Sequence, residues 1–384
     1  MKPRVCIVSH AAWGAMTGGS SGHAGGVEYQ TAATARWLAA NGFGVSLIVW
    51  NEGQDPDVTI DGVRVLSLCR RDDGIPGLRF LHPRWTSLTR ALAAADADLY
   101  YQNCGEYVTG QVALWCRARA RRFVFSVASD PECDPRLPAM GSARERLLYK
   151  FGLRRADQVI VQTRHQQRML KTGFGIDAVM LPMPCVAPAP TTLPTRVDTP
   201  PRFVWVGRVS PEKHPEQLIE IAAALPQYRF ELAGPASDAW SREVLERARR
   251  AGIGVLGRVS RRDMSAVYDG ASALLCTSTF EGFPNTFLEA WSHGVPVVSS
   301  VDPDGLIAAR GLGSIARTTE EFVGAVRGLA DAPDRAALAR RCRDYFLAFH
   351  QPDTALARFG ELFVTVCGRT PTSAATEGDV RCAR

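Results

Sequence analysis

The sequence lacks a long apolar run, and its charges are nearly balanced. Its longest stretch without Asp, Glu, Lys or Arg runs from Val5 to Val27 and holds six glycines, so it is too polar to span a membrane. The apolar run Val5–Val8 is too short for a signal peptide. Lys and Arg number 45 against 39 Asp and Glu, and this net charge of +6 is too small to indicate nucleic acid as a partner.

The ten cysteines include no C-x-x-C pair. This absence argues against a zinc site and against a disulfide framework. Cys6 and Cys276 lie inside apolar runs, so we expect buried free thiols in a reducing cytoplasm. The sequence also has no G-K-[ST], H-E-x-x-H or G-x-S-x-G motif. We therefore predict no metal and no bound cofactor.

Two sequence patterns match known binding motifs but lack the structural context or the additional ligand residues that these motifs require. Gly252–Gly257 reads G-x-G-x-x-G, but a predicted helix precedes it and a strand lies inside it, so we interpret these glycines as loop residues beside a strand. Three D-x-D strings could each hold a divalent cation, although no other ligand residues accompany them. The strings are Asp55-Pro-Asp57, Asp96-Ala-Asp98 and Asp302-Pro-Asp304.

A basic run, Arg117–Arg122, lies between a predicted helix and a predicted strand. Positive charge is favourable at a helix C-terminus, so a solvated helix end is the first interpretation. The second interpretation is a patch in weak peripheral contact with a membrane.

Short β-branched runs alternate with amphipathic stretches along all 384 residues. The strands predicted in the first half are Val5–Ser9, Val45–Trp50, Val63–Leu68, Asp98–Tyr101, Phe123–Val127 and Gln158–Val161. Those predicted in the second half are Phe203–Val206, Arg229–Ala233, Gly254–Leu256, Ala273–Cys276 and Val297–Ser300. Runs as apolar as these favour parallel sheets that are covered on both faces. The predicted fold class is α/β, with two doubly wound Rossmann-like domains facing across a cleft.

A proline-rich stretch separates the two sets of strands. We predict an N-terminal domain over residues 1–184, a linker over 185–201 and a C-terminal domain over 202–350. Residues 351–368 carry apolar side chains on one face and should form a closing helix. Residues 369–384 are small and polar, and we predict that they are disordered.

Charged residues follow the first strand of the second half. Phe203–Val206 ends at Gly207, and Arg208 and Lys213 come next, at the carboxyl end of the strand. Open α/β sheets bind their ligands at that edge. Two cations beside a helix N-terminus suit a diphosphate, but an ordinary strand–helix turn with solvated charges explains the pattern equally well.

Two glutamates bracket the start of a later helix. Pro284 suits the first helical position and Gly294 suits the stop, so Glu281 lies in the loop and Glu289 on the helix. The backbone N–H groups of Gly282–Thr286 favour a phosphate or another anionic oxygen. A carboxylate can accept hydrogen bonds from both hydroxyls of a vicinal diol, which ribose and hexoses offer. The arrangement therefore suits a nucleotide-sugar.

Together these motifs resemble a known family. The chain is similar to retaining glycosyltransferases of the GT-B fold, in the family 4 group (glycosyl transferases group 1). Four regions spread over nearly the whole chain carry the resemblance. They are Gly25-Gly26-Val27-Glu28 with Trp37–Gly42, Gly207-Arg208 with Pro211-Glu212-Lys213, Gly257 before Met264–Ser272, and the E-x7-E segment Glu281–Glu289 directly before Gly294–Val298.

The resemblance implies roles for these residues. Glu281 would contact the donor sugar, and Glu289 would bind the ribose hydroxyls. Arg208 and Lys213 would hold the diphosphate and offset the charge of the leaving group, while Gly26 would let the N-terminal loop approach the same phosphates. The predicted donor-binding set also includes Gly257, Gly282, Phe283, Pro284, Asn285 and Thr286. The family retains anomeric configuration and needs no bound metal.

The sequence departs from the family pattern in two loops. Many members have a His-Asp pair after the strand that corresponds to Phe123–Val127, whereas this chain has Ser129 and Asp130 there. Asp130 is a candidate catalytic residue, and Ser129 stands in the place of the histidine. The family's Pro-Asn-Gly-Val motif is replaced by Leu181-Pro-Met-Pro-Cys185.

The predicted activity is transfer of a sugar from a nucleotide-diphosphate-sugar to an acceptor hydroxyl, in the synthesis of a glycan, glycolipid or glycosylated natural product. The donor would bind the C-terminal domain and the acceptor the N-terminal domain. One alternative is a GT-B-fold sugar-nucleotide 2-epimerase, which would need acid and base residues for proton abstraction. The other is a non-catalytic nucleotide-sugar-binding subunit, which the serine at position 129 favours.

Overall fold

The computed structural model describes residues 2–18, 25–185, 190, 193 and 198–368, which form two β-sheets flanked by helices. The first sheet takes its strands from residues 4–180 and the second from residues 202–315. Most of the predicted linker and the whole predicted tail, residues 369–384, lie outside the described residues. The domain boundaries therefore stay predictions.

The first sheet has eight strands. In chain order they are β1 (Arg4–Val8), β2 (Gly44–Val49), β3 (Asp57–Ile60), β4 (Val63–Ser67), β5 (Leu99–Asn103), β6 (Arg122–Ser126), β7 (Gln158–Val161) and β8 (Ala178–Met180). Their order across the sheet is β3-β4-β2-β1-β5-β6-β7-β8, and every neighbouring pair except β3 and β4 is parallel. The helices are α1 (Trp13–Thr17), α2 (Gly26–Ala40), α3 (Thr86–Ala95), α4 (Tyr107–Ala118), α5 (Ala143–Arg155) and α6 (Arg164–Phe174).

The second sheet has six strands, all parallel. They are β9 (Arg202–Val206), β10 (Arg229–Ala233), β11 (Gly254–Gly257), β12 (Ala273–Cys276), β13 (Val297–Ser299) and β14 (Gly313–Ile315), in the order β11-β10-β9-β12-β13-β14. The helices are α7 (Pro215–Ala224), α8 (Ala239–Arg250), α9 (Met264–Tyr268), α10 (Asn285–Ser292), α11 (Leu306–Arg310), α12 (Thr319–Ala330), α13 (Arg335–Phe349) and α14 (Pro352–Gly368). Two largely parallel sheets, each with an apolar core on both faces, confirm the predicted fold class.

All eleven predicted strands are present, with ends shifted by at most two residues. The sequence analysis missed β3, β8 and β14. The strand β3 joins β4 in an antiparallel hairpin, so the first sheet is not parallel throughout. Its turn residues Asp61 and Gly62 have φ angles of 51° and 78°, as two-residue hairpin turns require. β3 is a half-exposed edge strand and lacks the apolar run that identified the others.

Each sheet has one switch point, where the order of the strands along the sheet reverses. In the first sheet it lies between β1 and β5, and in the second between β9 and β12. The connections on the two sides of a switch point leave in opposite directions, so a crevice opens at the carboxyl ends of these strands. The loops after these four strands are consequently the loops best placed to hold a ligand.

The last helix, α14, packs on the first sheet rather than the second. Leu356, Phe359, Phe363 and Val366 are buried in the core beside β1, β2 and β5, which is the apolar face that the sequence predicts. Trp37 Nε1 also donates a hydrogen bond to Asp353 Oδ1 at 2.9 Å. The chain thus crosses back to its N-terminal half after the second sheet is complete.

Within the described ranges, no helix combines the length and the apolar character needed to cross a membrane. Nine of the ten cysteines lie in these ranges, and all nine are free thiols; six are buried, whereas Cys69, Cys104 and Cys367 are not.

We expect Phe359→Ala to destabilise the protein by about 3–5 kcal/mol, because the ring is fully buried and leaves a cavity between α14 and the first sheet. Val364→Ala on the same helix is the matched control, since Val364 is 45% exposed and should change stability by less than about 0.5 kcal/mol. Urea unfolding monitored by circular dichroism measures both. Equal midpoints for the two variants would contradict the packing of α14 described above.

Candidate active site

Three glycine turns lie side by side at the carboxyl edge of the second sheet. Gly207 follows β9, Gly234 follows β10, and Gly257 ends β11 with a φ of 64°. Gly207 N–H donates to Ala233 O at 3.0 Å, and Gly234 N–H donates to Gly257 O at 2.8 Å. A Cβ on Gly234 would lie 1.8 Å from Gly207 O, so these turns can stack only where the side chain is absent. The predicted residue Gly257 therefore shapes this edge.

The second switch point brings Lys213 and Glu281 together. Lys213 follows β9 and Glu281 follows β12, and Lys213 Nζ forms an ion pair with Glu281 Oε1. Ser278 Oγ also donates to Glu281 Oε1 at 2.7 Å. Thr277 Oγ1 donates to the carbonyl of Lys213 at 2.7 Å, which ties the two loops to each other. Two residues predicted for one site from distant parts of the sequence are thus in direct contact.

Arg208 lies on the same loop but faces solvent. Its side chain is 66% exposed, and its guanidinium pairs with Glu212 Oε1 at 3.1 Å. Ser210 Oγ donates to the same oxygen at 2.7 Å. Because an exposed ion pair is weak, the Arg208 side chain can exchange Glu212 for another anion at little cost. Glu212 belongs to the Pro211–Lys213 element of the resemblance, but its pairing with Arg208 was not predicted.

Glu289 points from α10 toward α9. Tyr268 donates its hydroxyl to Glu289 Oε2 at 2.9 Å. Burial raises the pKa of Glu289, while the nearby Arg261 guanidinium and the Tyr268 hydroxyl act in the opposite sense. The hydrogen bond from Tyr268 uses Oε2, so Oε1 can still accept from a hydroxyl group. Tyr268 belongs to the Met264–Ser272 segment that carries part of the family resemblance, although no role was predicted for this residue.

The helix α10 begins one residue later than predicted. Pro284 is its cap, with extended backbone angles of −65° and 121°, and Asn285 is the first helical residue. Phe287 N–H donates to Pro284 O at 3.1 Å, and helix geometry leaves the N–H groups of Asn285 and Thr286 without an intrahelical partner. Phe283 packs its ring against Trp291 and His350 and thereby holds this turn in place.

The start of α10 also meets the first domain. Gln30 Nε2 donates to Asn285 Oδ1 at 2.6 Å. A Cβ on Gly26 would lie 2.4 Å from Asn285 Nδ2, so the backbone at Gly26 lies directly against the start of α10. A Cβ on Gly282 would lie 3.0 Å from Ala128 O. Small residues therefore permit the close approach of the two domains at this turn.

Asp130 lies across the cleft, in the loop after β6. Its Oδ1 accepts from Gln166 Nε2 at 3.0 Å, and His165 Nε2 lies 4.0 Å from its Oδ2. Burial raises the pKa of Asp130, and the carboxylates of Asp304 and Glu281 add to this effect. His165, at the start of α6, thus lies beside Asp130, although the two residues are far apart in the sequence.

Ser129 serves the local loop. Its hydroxyl donates to Glu132 Oε1 at 3.1 Å, and Glu132 Oε2 accepts from the backbone N–H groups of Gly105 and Ala128 at 2.9 and 3.3 Å. Glu132 is 5% exposed, and burial raises its pKa from about 4.5 to about 7. This buried carboxyl group, which the sequence analysis missed, joins the loops after β5 and β6.

The three D-x-D strings are engaged in structural contacts. Asp57 pairs with Arg64, and Asp96 and Asp98 pair with Arg4 and Arg121. Asp302 Oδ1 accepts from Ile307 N–H at the start of α11. Asp304 accepts from the N–H groups of Arg164 and His165 at 2.6 and 3.0 Å, across the domain boundary. The part of the chain that the structure describes holds no group of three His, Cys, Asp or Glu residues placed to bind a metal.

The switch point of the first sheet opens into a cavity of about 730 Å³. His10 after β1 and Glu106 after β5 both line it, with His10 Nδ1 3.9 Å from Glu106 Oε1. The His10 ring lies 4.4 Å from the Trp50 ring. Among the described residues, His10 Nε2, Gln102 Oε1 and Asn103 Oδ1 are buried without a hydrogen-bond partner. The base of the cavity thus has polar atoms without hydrogen-bond partners, next to the aromatic ring of Trp50.

Two ionisable groups that line the cavity have shifted pKa values. Burial lowers the pKa of His10 to about 4, helped by the Arg84 guanidinium, so the imidazole is neutral. Burial also raises the pKa of Glu106 to about 7, and the carboxylates of Glu145 and Glu28 act in the same direction. Their position was the one signal in the sequence for His10 and Glu106, since each lies two or three residues after a strand of the first switch point.

Two family models match adjoining parts of the chain. The model described as "Glycosyl transferase 4-like domain" matches residues 25–185, and the model "Glycosyl transferases group 1" matches residues 194–308. A similar relative is the lipopolysaccharide 1,6-galactosyltransferase of Salmonella typhimurium, which is 35% identical over 118 residues, covering 28% of this chain and 32% of the relative. The matches span between 32% and 53% of the length of the curated relatives.

Solved structures resemble the chain over most of its length. Sucrose-phosphate synthase from Thermosynechococcus elongatus superimposes with a TM-score of 0.75 at 18% identity, covering 94% of this chain and 98% of that structure. The Anabaena protein Alr3699/HepE in complex with UDP and glucose gives 0.69 at 15% identity, covering 94% and 99%. At these identities the similarity demonstrates a shared fold.

We expect Glu132→Gln to change the pH dependence of stability. The folded-state pKa of Glu132 is raised, so its contribution is fully present below about pH 4.5 and is lost as pH rises through about 7. Glutamine does not ionise. As the pH rises from about 4.5 through about 7, the free energy of unfolding of the variant should therefore increase by on the order of 3 kcal/mol relative to that of wild type. Urea unfolding of both proteins at about pH 5 and about pH 8 measures the difference. Parallel pH profiles would contradict a buried, proton-binding Glu132.

Proposed function

Because the chain belongs to the group 1 glycosyl transferases and has two Rossmann-like domains of the GT-B fold, we propose that it is a retaining, metal-independent glycosyltransferase. It would move a sugar from a nucleotide-diphosphate-sugar to an acceptor hydroxyl in glycan, glycolipid or glycosylated natural-product synthesis. The observation that carries the proposal is the Lys213–Glu281 contact at the second switch point. Matching families and relatives are glycosyltransferases and do not favour the 2-epimerase alternative.

The donor diphosphate would bind at Lys213 and Arg208. Both cations follow β9, at the carboxyl edge where such sheets hold ligands. If Lys213 turns toward the phosphate, Glu281 keeps its hydrogen bond from Ser278. The movement of Lys213 therefore does not leave the Glu281 carboxylate without a hydrogen-bond partner. The N–H groups of Asn285 and Thr286 add a second source of positive potential nearby.

Glu289 would bind the ribose of the donor. Its carboxylate is held by Tyr268 at 2.9 Å, which fixes the orientation of the free oxygen. A vicinal diol offers two O–H donors. The free oxygen of the Glu289 carboxylate has two lone pairs and can accept a hydrogen bond from each hydroxyl. Glu281 is then left to contact the sugar.

The reaction would take place on one face of the sugar. The acceptor oxygen bonds to the anomeric carbon as the bond to the diphosphate oxygen breaks, and the acceptor proton passes to the departing diphosphate. Lys213 and Arg208 stabilise the charge that develops on the leaving group, so electrostatic preorganisation is the main catalytic contribution. Asp130, opposite Glu281, would help to bind the sugar or the acceptor.

The acceptor would occupy the cavity of the first sheet. Its unpartnered groups at His10, Gln102 and Asn103 can bind hydroxyl groups, and Trp50 offers an apolar wall for a ring. The buried free thiols among the described residues suit a reducing cytoplasm, where we propose that the protein acts.

The donor is identified by thermal shift with UDP-, GDP-, ADP- and dTDP-sugars in the presence of EDTA. A nucleotide-sugar at a hundred times its dissociation constant should stabilise the protein by about 2.7 kcal/mol. Release of free nucleoside diphosphate on adding an acceptor then reports turnover. If no nucleotide-sugar raises the melting temperature, the proposed function is wrong. If EDTA abolishes turnover and Mg²⁺ or Mn²⁺ restores it, metal independence is wrong.

Glu289→Ala and Glu281→Ala should differ in their kinetics. Ribose does not change during the reaction, so loss of Glu289 should raise the donor KM by about ten- to a hundredfold with a smaller effect on kcat. The sugar gains positive charge at the anomeric centre, so loss of Glu281 should mainly lower kcat. Steady-state kinetics with varied donor distinguish the two patterns. Unchanged unfolding curves are the control, and the same kinetic pattern in both variants would contradict the assigned roles.

A further inference from the structure

The most exposed large apolar side chains are concentrated in one region of the first domain. Ile75, Leu78, Leu81 and Leu147 are 67%, 61%, 56% and 71% exposed. The other exposed large apolar side chains of the described residues are between 37% and 54% exposed and belong to other elements. Single exposed leucines are common on protein surfaces, whereas a concentration of the four most exposed ones indicates an interaction surface.

These four residues lie on two adjoining segments, residues 70–85 and helix α5. The Arg144 guanidinium of α5 lies 3.9 Å from the centre of the Phe80 ring. Leu147 and Arg154 follow Arg144 by three and ten residues, so all three point to one side of the helix. Tyr149, on the opposite side, is fully buried. We call residues 70–85 with the exposed side of α5 the arginine–leucine face.

The arginine–leucine face carries the positive charge of the protein. Residues 70–85 and 143–155 contain nine Lys or Arg and three Asp or Glu, an excess of six that equals the net charge of the whole chain. Six of these basic side chains are exposed, namely Arg70, Arg71, Arg144, Arg146, Arg154 and Arg155. The rest of the chain therefore has no net charge. The most exposed apolar side chains and the excess positive charge lie in the same two segments.

The basic run Arg117–Arg122, by contrast, is partly neutralised. Arg121 pairs with Asp96 at 2.6 Å, and Arg122 pairs with Asp157 at 2.7 Å. The second interpretation of that run, a membrane-surface patch, therefore finds less support there than on the arginine–leucine face.

The face is rigidly mounted. A Cβ on Gly110 of α4 would lie 2.3 Å from Leu148 O, and a Cβ on Gly152 of α5 would lie 2.5 Å from Thr109 O, so the two helices pack backbone to backbone. Phe80 is buried against Trp85 and Tyr107, with ring centres 5.5 Å apart in both pairs. Leu78 and Leu81 are exposed although Phe80, in the same segment, is buried in the core.

We propose that the arginine–leucine face docks on the surface of a lipid bilayer that contains anionic lipids. Leucine and isoleucine side chains can enter the headgroup–acyl boundary while arginines contact lipid phosphates, a combination that an acidic protein surface would not need. Arg71 and Arg84 of the same segment also line the cavity of the first sheet. Docking would therefore bring that cavity next to the bilayer. The proposal stands independently of the sugar-transfer reaction.

The test is co-sedimentation of the full chain with vesicles of phosphatidylcholine alone and of an equimolar mixture of phosphatidylcholine and phosphatidylglycerol. We expect binding only to the anionic vesicles, weakened by high salt. Arg70→Glu with Arg154→Glu, and separately Leu78→Ser with Leu147→Ser, should each lower the partition coefficient by about tenfold or more. All eight positions in these variants and their controls are exposed, and thermal unfolding checks each fold.

The matched controls place the same changes elsewhere. Arg250→Glu with Arg340→Glu changes the net charge equally, and Leu347→Ser with Val364→Ser changes exposed apolar residues of the C-terminal helices. Both controls should bind like wild type. The proposal is overturned if wild type does not bind anionic vesicles, if the charge control loses as much binding as the face variant, or if the leucine variant binds normally.

Discussion

The candidate site depends on one constraint, the reversal of strand order within each parallel sheet. A parallel strand can be followed only by a crossover, and at the switch point the crossovers on the two sides diverge. In this chain the divergence opens one crevice after β1 and β5 and another after β9 and β12. Lys213 and Glu281 meet because they follow the two strands of one switch point, and His10 and Glu106 meet for the same reason at the other.

The loops that border the two crevices meet at turns that lack bulky side chains. Gly26 lies against Asn285, and Gly282 lies against Ala128 O. Asp304 supplies a second kind of contact, since its carboxylate accepts from two N–H groups at the start of α6, where the helix dipole favours negative charge. Contacts of this polar, narrow type allow the domains to separate more readily than an apolar interface of the same extent would.

The sequence sufficed for features that depend on local patterns. Buried parallel strands are continuous apolar runs, so eleven of fourteen strands were predictable, whereas β3 is half-exposed and carries no such run. The spacing of Glu281 and Glu289 around a helix start is likewise local. Their contacts with Lys213 and Tyr268 depend on how distant strands pair, and no local pattern encodes that.

The loop after β6 shows that a residue missing from a sequence motif need not leave the site without that type of side chain. Ser129 replaces a histidine in the sequence pattern, yet the chain places His165 near Asp130 from α6, because β7 neighbours β6 and its following helix starts at the same edge of the sheet. Residues that are distant in the sequence can thus lie side by side in the fold. Since Ser129 is engaged with Glu132, the serine stabilises the loop while the imidazole reaches Asp130 from another element. A missing letter in a motif is therefore weak grounds for assigning this chain a non-catalytic function.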